Sequence, residues 1–117
     1  MPFVCRRDDD VFVIHASGVI RMADVEALAA EEELYFAAPG CRGLFLVDNS
    51  DLKVISPDGA DALVERMKVD NPRVTKSAFV VAEGTAALQL KRMVRDAGSE
   101  KRRTFTSVDQ ALAWLRQ

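Results

Sequence analysis

Two short apolar runs without alternation, Leu44-Phe45-Leu46-Val47 and Ser77-Ala78-Phe79-Val80-Val81-Ala82, constrain this chain more than any other feature. A strand with one face in water alternates apolar and polar residues, so a continuous run needs cover on both faces, as in a sheet flanked by helices. Each run is followed by a polar break and an amphipathic helix. After the first run, Asp48, Asn49, Ser50 and Asp51 favour a turn, because their short side chains bond nearby backbone. Ser56-Pro57 then reads as an N-cap followed by proline at the first helical position. Ala60, Leu63, Val64 and Met67 recur at i, i+3, i+4 and i+7, one stripe facing a sheet. The expected loop from 48 to 60 lies between the carboxyl end of a strand and the positive end of a helix, where open α/β sheets bind anions and ligands.

The remaining elements follow from the same signals. Phe3 to Arg6 and Val11 to Ala16 flank Arg7-Asp8-Asp9-Asp10 and read as a hairpin with a solvated acidic turn, because no glycine and terminal glutamate of a calcium loop follow. Gly18 is expected to break the second strand. Met22, Val25, Leu28, Ala29 and Phe36 give a helix whose Glu31-Glu32-Glu33 run reads as a solvated face, and Pro39-Gly40 ends it. Asn71-Pro72 closes the second helix. Ala87, Leu90, Met93, Val94 and Ala97 line a third, with Gly98 as its C-cap. Thr104-Phe105 is a short strand, and Ser107 with Gln110 has capping-box spacing before the stripe Val108, Ala111, Leu112, Leu115. The order predicts one α/β domain over 1–117, with a mixed five-stranded sheet, an N-terminal antiparallel hairpin and four helices.

Composition narrows the class. The 117 residues are 49% hydrophobic and 29% charged, as in ordinary globular proteins. The apolar runs are far shorter than the ~20 residues that span a bilayer, and MPFVCRRDDD has no signal-peptide core, so a cytoplasmic protein is expected. Cys5 and Cys41 are too few for a disulfide framework and lack metal-ligand spacing with His15, the only histidine. No metal and no cofactor is expected. Residues 1 to 70 carry 14 acidic and 7 basic side chains, whereas residues 71 to 117 carry 4 and 9. Such a split suits a protein partner or a head-to-tail homodimer, and Lys91, Arg92, Arg95 and Arg102 form a candidate basic patch. Nothing points to nucleic acid.

The element order, together with FLVDNSDLKVISPDGADAL at the central unit and the ending FTSVDQALAWL, resembles the STAS domain of anti-sigma-factor antagonists, the SpoIIAA-like fold. That resemblance implies a phosphoacceptor serine in the pattern Asp-Ser-Ser-Gly. Here Gly59 matches the glycine, but Ser56 stands in place of the aspartate, Pro57 of the first serine and Asp58 of the phosphoacceptor. Asp48 and Ser50 match an upstream Asp-x-Ser. Asp58 cannot take phosphate, yet it holds a carboxylate in the first turn of a helix, where the dipole favours negative charge. It either imitates the phosphorylated state or only improves the helix start. Ser50 is a candidate phosphate acceptor or a turn residue.

Three readings follow. The first is a non-enzymatic regulatory module presenting Asp48, Asn49, Ser50, Ser56, Asp58 and Gly59, with the helix after them, to a protein partner. It accords with the lack of a Walker loop, a Gly-x-Gly-x-x-Gly fingerprint or an interpretable serine–histidine or cysteine–histidine spacing. The second is a Sec14-like site for a small anion or lipid headgroup at the basic patch. The third, an enzyme, requires His15 or the pair Asp48 and Asp51 to converge in a cleft.

Overall fold

The two apolar runs pair with each other. In the computed structural model, which describes residues 2–117, they lie in adjacent parallel strands, with Phe45 opposite Ser77 and Val47 opposite Phe79. The strands are β1 (Phe3–Asp8), β2 (Val11–Ile20), β3 (Leu44–Ile55), β4 (Lys76–Val81) and β5 (Arg102–Phe105), and they form one sheet in that order. Only the β1–β2 pair is antiparallel. The helices are α1 (Met22–Ala37), α2 (Pro57–Asp70), α3 (Thr85–Asp96) and α4 (Val108–Leu115). A mixed five-stranded sheet with an N-terminal hairpin and four helices is thus the architecture the sequence pattern predicts.

Right-handed crossovers that all step the same way across a sheet leave their helices on one face. The packing agrees. Phe12, Ile14, Phe45 and Phe79 on one face share a core with Val25, Leu28, Leu63, Met67 and Leu90 of α1, α2 and α3. Val11, Val13, Leu46 and Val80 on the other face share a smaller core with Ala111 and Leu115 of α4. This two-sided cover is why the central runs do not alternate.

The last strand starts two residues earlier than expected, at Arg102, and three further boundaries differ for local reasons. The acidic turn shrinks to Asp9-Asp10, with Asp9 left-handed at φ 56°, a conformation aspartate tolerates better than most residues. Strand β2 continues through Gly18, which takes φ 66° at an irregularity instead of ending the strand. Strand β3 runs on to Ile55 through the residues expected to turn. His15 pairs with Asp48 and Ser17 with Asp51, so Asn49 and Ser50 together oppose Ala16 alone, a β-bulge. The Asp48 side chain accepts from the Ser50 amide at 3.1 Å, the local bond that suggests a turn, and here it shapes the bulge.

Candidate binding site

The continuation of β3 reduces the expected 48 to 60 loop to a single residue, Ser56, between Ile55 and Pro57. Its amide donates to the Ile20 carbonyl at 2.9 Å, and its hydroxyl accepts from the Gly59 amide at 3.2 Å. The N-cap is therefore as the sequence indicates. Gly59 fits because the helix start lies against the β2–α1 junction; an added Cβ would meet Ser56 Oγ at 2.8 Å and the Ile20 carbonyl at 3.2 Å. On the opposite side, the Gln89 side chain brackets Ile55, accepting from its amide at 3.1 Å and donating to its carbonyl at 2.9 Å. A side-chain amide thus continues the ladder where β4 has already ended.

Asp58 projects from this junction into solvent. One carboxylate oxygen accepts from Ser56 Oγ at 2.7 Å and from the Gly59 amide at 2.9 Å. The Ser56 hydroxyl, then the Gly59 amide, hold its carboxyl below the ordinary carboxylate range, so it is charged near neutral pH. This is a fixed anion in the first turn of a helix.

The remaining predicted residues divide between the two faces of the sheet. Asn49 is buried on the face under α1 to α3, its amide donating to the Val47 carbonyl. Asp48 and Ser50 lie beside His15, and the Ser50 hydroxyl donates to Asp48. Partial burial pushes the Asp48 carboxyl up, but the Ser50 hydroxyl and amide, and then His15, outweigh it and leave it below its ordinary value. The bulge turns Asp51 to the same side, so His15 Nδ1 lies 3.5 Å from Asp48 and Nε2 lies 3.0 Å from Asp51. Without the extra residue, positions 48 and 51 would point to opposite faces. Sequence spacing alone therefore could not reveal this convergence.

The cluster does not assemble a nucleophile. Both ring nitrogens of His15 face carboxylates, and Ser50 bonds Asp48 rather than the imidazole, so no serine–histidine pair forms. The described residues hold no group of three or more His, Cys, Asp and Glu arranged to bind a metal ion. Cys5 is also a poor nucleophile, because burial, Glu31 and Glu32 push its thiol up to about 11.

The expected basic patch is divided. Lys91, Arg92 and Arg95 are exposed on α3, but Arg102 is only 9% exposed and faces inward. The strand pairing decides this, because Arg102 pairs with Ser77, whose side chain lies under the helices, while its neighbour Arg103 points to the other face and reaches Trp114. Arg102 Nε donates to Asn71 Oδ1 at 3.0 Å and Nη2 to the Met67 carbonyl at 3.0 Å. It belongs to a buried charge network that the sequence pattern did not suggest. Asp70 takes Arg66 at 3.2 Å and Arg73 at 2.7 Å, and Glu32, expected on a solvated face, is buried 3.4 Å from Arg66. Burial and then Asp70 push the Glu32 carboxyl up to about 7 despite Arg66 and Arg102. Glu32, Arg66, Asp70 and Arg102, with Asn49 and Ser77, border a mostly apolar cavity of about 50 Å³ between helices and sheet, well below the few hundred Å³ of a typical ligand pocket.

No family model matches the sequence, and neither does any curated protein. Solved structures do match, over nearly the whole chain. A protein from Shewanella loihica with a SpoIIAA-like fold aligns with a TM-score of 0.70 at 17% identity, covering 97% of this chain and 91% of that one. The fold is SpoIIAA-like. An anti-sigma factor antagonist from Mycobacterium paratuberculosis aligns at 0.69 and 18% identity, over 98% of this chain and 93% of its own. Unphosphorylated SpoIIAA aligns at 0.69 and 15%, over 97% of each. No helix among the described residues is long and apolar enough to cross a membrane.

Proposed function

We propose that this chain is a non-enzymatic regulatory module that presents the β3–α2 junction and the start of α2 to a protein partner. The observation that carries this reading is the carboxylate of Asp58, exposed, ionised and oriented by Ser56 and Gly59 at the position where the resemblance puts a phosphoacceptor. The anti-sigma factor antagonists among the structures of the same fold support a protein partner. A partner that reads this site meets one constant state, with negative charge that needs no kinase to install it. Capture of binding proteins by wild type, Asp58→Ser and Asp58→Glu tests the reading. Asp58→Ser should lose or change the captured set, and Asp58→Glu should keep it. If wild type retains no partner, or all three capture the same set equally, Asp58 only starts a helix. Binding of a lipid or small anion has weaker support, because the interior cavity is small and Arg102 is withdrawn from the basic surface.

A further inference from the structure

The division of charge along the sequence becomes a division across one surface. Helix α2 lies between α1 and α3 on the same face of the sheet. Between α1 and α2 runs a groove whose floor includes Val25, Ala29 and Ala62, with Met22 46% and Val69 61% exposed. Glu26, Asp58 and Asp61 border it, and none has an ion-pair partner among the described residues. Asp58, Asp61 and Glu65 follow at i, i+3 and i+7 along α2, one row of like charge on the groove side of the helix. Of these three, only Glu65 has an ion-pair partner among the described residues, Lys68 at 3.6 Å. Arg66 at the groove's edge is already committed to Glu32, Glu33 and Asp70.

The outer face of α3 is the complement. Leu88, 69% exposed, stands with Lys91, Arg92 and Arg95 at i, i+3, i+4 and i+7, a basic stripe around one apolar side chain in which Arg95 alone has a carboxylate nearby, Asp96 at 3.5 Å, among the described residues. An acidic apolar groove and a basic helix with an apolar knob thus lie side by side on the same helical layer. Rotation of a second copy by half a turn about an axis along α2 places its α3 over the first copy's α1/α2 groove. The same rotation returns the first copy's α3 to the second groove, so both contacts form together, as a two-fold interface requires.

We infer that the helical layer is a self-association surface, on which two copies form a symmetric dimer with Leu88 of each in the other's α1/α2 groove and Lys91, Arg92 and Arg95 facing Glu26, Asp58 and Asp61. An anionic lipid surface does not fit this groove, because its rim carries the same sign of charge. The inference does not depend on the partner reading of Asp58, although a partner docked there draws on overlapping surface.

The test is a charge exchange read by light scattering after size exclusion. One variant carries Glu26→Lys and Asp61→Lys, the other Lys91→Glu and Arg95→Glu, all at exposed positions. Wild type is expected at twice the chain mass at low ionic strength and to dissociate in high salt, where exposed charges are screened. Each variant alone should be monomeric, since it sets like charges against like. An equal mixture should restore the dimer, because the basic groove of one then meets the acidic α3 of the other. A wild type that stays monomeric at low salt overturns the inference. So does a variant that remains dimeric alone, or a mixture that fails to associate while both variants keep the wild-type circular dichroism spectrum.

Discussion

The two ends of α2 use charge in opposite ways. At its start, Asp58 is exposed and bonded only to neighbours within one turn. At its end, Asp70 is 2% exposed and takes Arg66 and Arg73, close to buried Glu32 and Arg102. An ionised group in water has little to lose when its partner is removed, whereas a buried one is left with its full desolvation cost. A change of charge at the start of α2 should therefore cost little stability, while the end is fixed by packing.

The largest effect that would break this contrast is at the buried end. Arg102→Ala leaves Asp70 and Glu32 with less counter-charge in the core and removes the bonds to Asn71 and Met67, and should destabilise the protein by about 3–5 kcal/mol in urea unfolding. A midpoint near that of wild type would mean that the network relaxes into solvent, and the two ends would no longer differ. Leu63→Ala, midway along the helix in the apolar core, provides a reference without charge and should cost about 2–5 kcal/mol through lost transfer energy and a cavity.

The next prediction concerns pH. Glu32 keeps its proton in the folded state up to about 7, while in the unfolded chain it ionises near its ordinary 4.5. Between those values the folded state binds more protons, so this group's contribution is fully present below 4.5 and is lost as pH rises to 7, by about 3 kcal/mol in total. Glu32→Gln should remove that fall, so the difference between variant and wild type should grow in the variant's favour from pH 5 to pH 8. A difference independent of pH would show that Glu32 is not held neutral. The smallest effect is at the exposed end, where Asp58→Ser should leave the urea midpoint close to that of wild type.

Much of this was legible in the sequence, and the exceptions share a cause. Periodicity and capping residues are local, so the helices, the Ser56 and Ser107 caps and the two central strands could be read directly. The length of β3 could not. Asp48, Asn49 and Ser50 make the local bond typical of a turn, but β2 beside them is long enough to hold them as a bulge. That one extra residue also brings Asp51 to the side of the sheet where His15 already lies beside Asp48. The inward turn of Arg102 and the burial of Glu32 depend on strand phase and on one another, since each is tolerable only with charges from other elements. The N-cap bond of Ser56 and the carboxylate of Asp58 in the first turn were recognisable because both are confined to one helical turn, whereas the approach of Gly59 to the Ile20 carbonyl was not.

The proposed function requires Asp58 to act in recognition and not in stability. Calorimetric titration of a purified captured partner with wild type, Asp58→Ser and Asp58→Glu, each first shown to have the same thermal midpoint, measures this directly. Affinity should fall at least about tenfold for Asp58→Ser, the loss of one charge-assisted contact, and stay near wild type for Asp58→Glu. Equal affinities for all three at equal stability would contradict it.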